Sequence, residues 1–338
     1  MPLKRTGLQT IDLPLRPAVC ASAAFVGKKE GEGPLGNLFD HVAQDELYGQ
    51  DTFELAEKRL YLDAIRKAIQ KGGLKPENVQ FLLGGDLLNQ IISASFAARE
   101  TGLPYLGIYG ACSTMSEGLL LASVLTDGGY AGNAVAATGS HFSSAERQYR
   151  YPLELGCTRP PQSQWTVTGA GSLVVSREGK GPCVTCATVG RVVDYGVTDV
   201  NNMGAAMAPA ASKVILAHLH DTGRRPEYYD LILTGDLGVL GSRILKDLLW
   251  ESGTDVFANH DDCGAMIYAR AEDEFQGGSG AGCSAVVFGS YILRELAAGR
   301  LNKVLFVATG ALLSTVSSGQ GESIPCIAHA VAVENDLS

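Results

Sequence analysis

A cysteine at the start of a predicted helix is the side chain best placed for chemistry in this sequence. Cys112 follows an apolar strand pattern over residues 105–109 and a Gly110-Ala111 turn, and a helix pattern begins directly after it. A thiol in that position faces the positive end of the helix dipole and free backbone N–H groups, which favours the thiolate. The same geometry binds carboxylates and phosphates. The turn therefore indicates a nucleophile, an anion site, or simply a tight turn that needs a small residue.

Acyl-transfer chemistry on a thiol also needs a proton carrier, and histidines are the first candidates. His141 follows the strand pattern over residues 134–137, so its ring is expected at the same pocket as Cys112. His260 lies beside two aspartates, where it is expected to line the pocket mouth or to cap a loop. Neither position supplies a clear acid for the thiol.

The eight cysteines are interpreted as reduced thiols, because they are scattered through apolar surroundings in a long acidic chain. Cys183 and Cys186 form a C-x-x-C pattern inside a predicted strand. No second Cys or His pair stands at zinc-ligand spacing from them. We therefore predict core cysteines and no metal site.

Strand and helix patterns alternate along the whole chain. The first half has strand patterns near residues 17–26, 79–83, 105–109, 134–137 and 166–176, and helix patterns near 53–71, 88–100 and 112–125. The second half has strand patterns near residues 184–193, 231, 285, 304 and 327, and a helix pattern near 208–219. This rhythm predicts an α/β fold with a mainly parallel sheet and helices on both faces.

The chain repeats itself. Residues 75–87 and 225–237 agree at six of thirteen positions, which include Asp86 and Asp236. Cys112-Ser113 is matched further on by Cys283-Ser284. A repeat of this length indicates two copies of one βαβα unit. We place the halves at residues 1–178 and 179–338, joined without a linker into one five-layered α-β-α-β-α body, and interpret the matched aspartates mainly as structural caps.

Composition excludes several classes of function. The formal net charge is −9 and the pI is about 5.2, which argues against a nucleic-acid partner. The longest apolar runs are far shorter than the ~20 residues that cross a bilayer, and the amino terminus lacks the apolar core of a secretory signal. We expect no transmembrane segment and no signal peptide, so any membrane association is expected to be peripheral.

The arrangement of strand, Gly-Ala-Cys turn and helix, followed by a second copy without the active cysteine, resembles the thiolase and ketoacyl-synthase fold along essentially the whole chain. Within that fold the sequence is most similar to the stage V sporulation protein AD family of endospore-forming bacteria. The motifs include Tyr-Gly-Ala-Cys-Ser-Thr at residues 109–114 and Met-Gly-Ala-Ala-Met-Ala-Pro-Ala-Ala at residues 203–211. Others lie at residues 34–36, 85–89, 145–148, 260–264 and 308–314.

The resemblance implies that condensing chemistry has been lost. Active ketoacyl synthases pair the cysteine with a histidine from a His-Gln-Ala-Asn run and an asparagine from a Gly-Asn-Thr run. The corresponding positions here, residues 234–237 and 278–280, hold neither residue. Without such groups nothing polarises a thioester carbonyl, so no residue is assigned a catalytic role.

The resemblance implies instead a binding protein for dipicolinic acid, a flat pyridine dicarboxylate, with calcium, acting in its uptake into the developing spore. Its carboxylates are expected at residues 112–114 and at the glycine-rich N–H groups of residues 277–282, aided by Arg147 or Arg150. The residues assigned to the ligand site are Cys112, Ser113, His141, Asp236, Ser279, Gly280 and Leu312. No cofactor is expected, and calcium would arrive with the ligand.

Two other functions stay open: a Cys112-dependent acyltransferase or thioesterase on a coenzyme A or carrier-protein substrate, and an assembly scaffold with a vestigial pocket. The sequence has no basic patch for the phosphates of coenzyme A. The resemblance further implies integral membrane proteins of the same spore uptake complex as partners, a peripheral place at the forespore inner membrane, and a homodimer.

Overall fold

Two five-stranded units with the same strand order form the framework of the protein. The computed structural model describes residues 4–149, 159–268 and 276–335. In chain order the first unit has β1 (Ala18–Val26), β2 (Phe81–Gly85), β3 (Tyr105–Gly107), β4 (Asn133–Ser140) and β5 (Gly169–Ser176). The second has β6 (Cys183–Thr188), β7 (Leu231–Thr234), β8 (His260–Asp262), β9 (Lys303–Ala311) and β10 (Cys326–Glu334).

The spatial order is β1-β5-β4-β2-β3 in the first unit and β6-β10-β9-β7-β8 in the second, so the two units have matching topology. They meet where Ala18 of β1 pairs with Cys183 of β6. The predicted duplication and α/β class are therefore confirmed.

The prediction of a mainly parallel sheet is wrong. In each unit the last strand is antiparallel to both of its neighbours, and only the remaining two pairs are parallel. The alternation of strands and helices gives no information about where the final strand inserts. In each unit that strand lies between the first and the fourth strands and runs antiparallel to both.

The helices form three layers around the two units. In chain order they are α1 (Phe53–Lys71), α2 (Ile92–Thr101), α3 (Thr114–Asp127), α4 (Phe142–Tyr149), α5 (Met203–Thr222), α6 (Gly238–Glu251), α7 (Cys263–Ile267) and α8 (Ala281–Val287). α1 and α2 cover one outer face, and α5 and α6 cover the other. α3 contacts β4 of the first unit and β9 of the second, and it packs against α8 in the middle layer. This arrangement has the five predicted layers.

Shorter elements complete the fold. Short helices lie at Lys28–Gly31, Leu293–Ala297 and Thr315–Gly319, and a π-helical turn follows α8 at Phe288–Ile292. Short strands lie at Arg5–Thr6, Thr10–Asp12, His41–Val42, Trp165–Thr166 and Gly278–Ser279. None of the helices in the described ranges is long and apolar enough to cross a membrane.

The amino-terminal segment is held by the second half of the chain. Strand Thr10–Asp12 pairs antiparallel with β6. The Asp221 carboxylate at the end of α5 accepts the backbone N–H groups of Leu8, Gln9 and Thr10 at 3.1, 2.8 and 3.0 Å. Residues 5–12 therefore extend the sheet of the opposite half.

The strand predicted near Ala285 is also wrong, because Ala285 lies in α8. All seven residues of α8 are buried, so the helix has no exposed polar face to reveal a 3.6-residue period. A short apolar run of this kind reads equally as a buried strand. The helix over residues 53–71 was readable from the apolar stripe Leu55, Leu62, Ile65 and Ile69. The last three are buried as that stripe predicts, whereas Leu55 is 37% exposed. Thr52 caps its start, accepting the Leu55 N–H at 3.3 Å.

Gly171 marks the closest approach of β5 to the middle layer. A Cβ at this position would lie 2.5 Å from the carbonyl carbon and oxygen of Ala285. Gly171→Ala should therefore lower the free energy of unfolding by about 1–3 kcal/mol, because a backbone cannot yield as a side-chain end can. The chemical denaturation midpoint measures this. Gly289→Ala is the matched control, since its nearest neighbour is 3.7 Å away. Equal midpoints for the two variants would contradict the close packing.

Candidate functional site

The Cys112 turn is fixed by local hydrogen bonds and by the second half. Residues Ala111–Ser113 form a 3-10 turn that leads into α3, and Ala111 has a positive φ of 50°. The hydroxyls of Ser113 and Thr114 donate to the carbonyls of Gly110 and Ala111, both at 2.7 Å. Gly310 of β9 packs so closely on Gly110 that any side chain there would overlap its carbonyl oxygen. The thiol position is thus set by both units together.

Asp236 provides the thiol with a buried carboxyl partner. It follows β7 and is fully buried. Its oxygens accept the Gly280 N–H at 2.9 Å, the Thr309 hydroxyl at 3.0 Å and the Ser279 hydroxyl at 3.3 Å. The Cys112 thiol donates to the same carboxyl. Burial raises the pKa of Asp236 to about 7, although these hydrogen bonds act to lower it. Near neutral pH the protonated and ionised forms of the carboxyl are therefore both populated.

Asp86, the repeat partner of Asp236, has a different role. Its carboxylate accepts the N–H groups of Leu88 and Ala94, both at 2.7 Å, and so caps the start of α2. Burial raises the pKa of Asp86 to about 6. The interpretation of both aspartates as mainly structural caps therefore describes Asp86, whereas Asp236 lies beneath Cys112.

A small cavity of about 40 Å³ opens above the thiol and is walled by both halves. This is room for about three water molecules. The wall is mainly apolar and consists of Leu87, Tyr109, Ala111, Cys112, Ala145, Tyr149, Thr166, Met203, Met207, Ser279, Gly280, Ala311 and Leu313. Cys112, Ser279 and Gly280 of the predicted residues line it directly, and Asp236 is bonded to all three.

Three other predicted residues, Ser113, Leu312 and His141, do not line the cavity. Ser113 is buried within the turn, and Leu312 packs on the apolar cluster around Cys112. His141 is not among the lining residues. Its Nε2 bonds the Glu46 carbonyl at 2.8 Å and its Nδ1 accepts the Ser143 N–H at 3.1 Å. Burial lowers the pKa of His141, so a neutral ring serves a structural purpose there.

The expected carboxylate donors are largely engaged within the protein. The Gly280 N–H donates to Asp236, and the Gly282 N–H donates to the Ser140 hydroxyl at 3.0 Å. The Arg147 guanidinium lies over the Phe53 ring at 5.2 Å, away from the cavity wall. Arg150 and Cys157 lie outside the described residues.

His260 has a structural environment. Its Nε2 lies 3.0 Å from the Thr234 hydroxyl, and burial lowers the pKa of the ring to about 3. The neighbouring Asp262 accepts the N–H groups of Leu237 and Gly238, both at 2.9 Å. In the described ranges no group of three or more His, Cys, Asp or Glu side chains is arranged to hold a metal.

Sequence reasoning missed the tyrosines and methionines of the wall. Tyr109 directly precedes the Gly-Ala-Cys turn, and Met203 and Met207 stand at the start of α5 within a motif already noted. Their positions next to known motifs were the available signal. Tyr149 ends α4, and no feature of the sequence around it indicates a place in the cavity.

Comparisons with known proteins agree with this architecture. Two solved structures superpose on the chain. The first is 3-oxoacyl-[acyl-carrier-protein] synthase III from Aquifex aeolicus VF5, at TM-score 0.60 and 13% identity. The second is cerulenin-bound OleA from Xanthomonas campestris, at TM-score 0.59 and 14% identity. Each match covers 94% of this chain, with 99% and 96% of the other chain. At such identities they show a shared thiolase-like fold and no more.

Sequence comparison is more specific. The family model for Stage V sporulation protein AD (SpoVAD) matches residues 7–334. Stage V sporulation protein AD of Bacillus subtilis (strain 168) is 47% identical over 332 residues, which cover 98% of this chain and 98% of that protein. The chain therefore belongs to the stage V sporulation protein AD family of sporulation proteins.

Proposed function

We propose that this protein is a non-catalytic binding protein for dipicolinic acid that takes part in its uptake into the developing spore. The observation that carries the proposal is the Cys112 cavity, in which the thiol is paired with the Asp236 carboxyl in place of an imidazole. Membership of a sporulation family supports the biological setting.

The chemistry of this pair suits binding better than condensation. A condensing site must stabilise a developing oxyanion with donors or positive charge. Among the described residues that line the cavity, none is histidine or asparagine. An ionised Asp236 adds negative charge beside the thiol, which opposes oxyanion formation. When Asp236 is protonated this charge is absent, and the Cys112 thiol at the cavity wall can instead donate to a ligand carboxylate.

The apolar wall suits a flat aromatic ring. Tyr109 and Leu313, which also line the larger groove outside the cavity, offer large apolar surface, while the polar groups concentrate at Cys112 and Asp236. A ring with carboxylates at its edge matches this division. Calcium belongs to the proposal as part of the cargo, the chelate of dipicolinate, and not as a resident metal.

The hydrogen bond between Cys112 and Asp236 also favours a second candidate function. If Asp236 takes the thiol proton, Cys112 becomes a nucleophile for a thioester, and the protein would act as an acyltransferase or thioesterase. Incubation with an acyl-CoA followed by mass spectrometry tests this. An acyl group on Cys112 would support the enzyme, and an unmodified thiol would count against it.

For assembly we propose peripheral docking on integral membrane proteins of the same uptake complex at the forespore inner membrane, and a homodimer. The dimer proposal is supported by the open edge of β3, where the backbone has an unpaired side. Ile92, Phe96 and Leu106 beside that edge are each 40–46% exposed. A second copy pairing at β3 would cover them.

Dipicolinate should bind the purified protein, and Cys112→Ala should weaken binding about tenfold by removing one donor. Isothermal titration calorimetry with and without calcium measures the affinity. Cys20→Ala, at a half-buried cysteine outside the cavity wall, is the matched variant and benzene-1,3-dicarboxylate the matched ligand. If neither wild type nor variant binds dipicolinate, the proposed function fails and a scaffold with a vestigial pocket replaces it.

Binding should also weaken as pH rises. Because the pKa of Asp236 is about 7, the carboxyl is neutral below that pH, whereas above it the ionised form repels a dianion in the neighbouring cavity. Between pH 6 and pH 8 the affinity should fall about tenfold. Asp236→Asn, which stays neutral, should bind equally at both pH values. A wild-type affinity that does not change with pH would refute a role for this carboxyl.

In solution the protein should sediment as a dimer, and Leu106→Lys should shift it toward a monomer, because a charge at a buried sheet edge is unpaired. Analytical ultracentrifugation gives the mass. Trp250→Glu, at an exposed aromatic on α6, controls for loss of surface apolar area. A wild-type monomer at micromolar concentration would contradict the dimer.

A further inference from the structure

The Cys112 cavity borders a larger groove on the surface. The groove has a volume of about 290 Å³ and is lined by residues 88–91 together with Leu313 and Ser314. Tyr109, Tyr149 and Leu313 line both spaces and so form the partition between them. The inner cavity of about 40 Å³ holds about three water molecules, far less than a ligand with twelve non-hydrogen atoms needs.

The partition is closed by hydrogen bonds. The hydroxyls of Tyr109 and Tyr149 lie 3.0 Å apart. The Tyr149 hydroxyl also donates to the carbonyl of Leu87, so its oxygen accepts from Tyr109. Tyr109 is 42% exposed and lines the groove as well as the cavity.

The far rim of the groove is unusually constrained. Gln90 and Ile91 have φ angles of 57° and 46°. Residues other than glycine rarely adopt this conformation, and β-branched residues such as Ile91 adopt it least. The Asp86 carboxylate holds this segment from both sides by accepting the N–H groups of Leu88 and Ala94. A fixed rim on one side and two hydrogen-bonded tyrosines on the other leave the tyrosine pair as the part that can move.

We propose that Tyr109 and Tyr149 form a latch between the outer groove and the Cys112 cavity, and that a carboxylate ligand reaches the thiol only when this latch opens. The groove then holds the ring of an aromatic dicarboxylate while one carboxylate enters the inner cavity. For the identity of the ligand this inference rests on the proposed function. For access to Cys112 it stands independently.

Access to the thiol is measured by alkylation with iodoacetamide under native conditions, followed by peptide mass spectrometry at Cys112. Tyr149→Phe removes the bonds to both Tyr109 and Leu87 and should speed labelling about tenfold. Tyr109→Phe leaves the bond to Leu87 and should give a smaller increase. Tyr195→Phe, at a tyrosine exposed on the surface, should label at the wild-type rate. If the Tyr149→Phe protein is folded and Cys112 is still labelled at the wild-type rate, the latch is overturned.

Leu313→Ala gives an independent test, because it widens the partition without touching either hydroxyl, and it should also speed labelling. Stopped-flow binding of dipicolinate to Tyr149→Phe should show a faster association and an affinity at least equal to that of the wild type, because the closed form competes less with binding. An unchanged association rate with a tenfold loss of affinity would make Tyr149 a ligand contact and overturn the latch. Faster labelling without any dipicolinate binding would support the latch and overturn the proposed function.

Discussion

The two units share one middle layer, and the rest of the structure depends on that constraint. α3 contacts β-strands of both halves, and α8 packs on β1, β4 and β5 of the first half with every one of its residues buried, so α8 has no solvent-facing side on which a poor fit could be relieved. The backbones therefore approach at glycines, Gly171 against α8 and Gly310 against the Cys112 turn. The same contacts that close the core also fix the thiol, because the turn before α3 is pressed between the units.

Duplication gave two equivalent turns and two equivalent aspartates, but only one set forms a site. Asp86 satisfies backbone N–H groups of its own half, and Cys283 is wholly buried within α8. Asp236 reaches across to the Cys112 turn of the other half. The site therefore needs residues of both units. Its chemistry is set by Asp236, the carboxyl that the packing of the two units brings next to the Cys112 thiol.

The framework was readable from the sequence, and the site only in part. Repeated Gly-Asp-Leu runs gave the duplication, and the stripe of Leu62, Ile65 and Ile69 gave α1, because both patterns are local. The antiparallel final strands and the buried α8 were misread, since neither insertion order nor all-round burial leaves a periodic signal. Cys112 was found from its turn. Tyr149 and the internal hydrogen bonds of His141 depend on contacts between distant segments, which no local pattern encodes.

The pairing of Thr10–Asp12 with β6 has a consequence for biosynthesis. These residues are made before their partner strand, which follows more than half a chain later, and Asp221 comes later still. The strand Thr10–Asp12 therefore stays unpaired with β6 until the second half has been made. Truncation or a bulky tag at the amino terminus would disturb the strand pairing at β6, where the two halves meet, far along the chain from the residue that was altered.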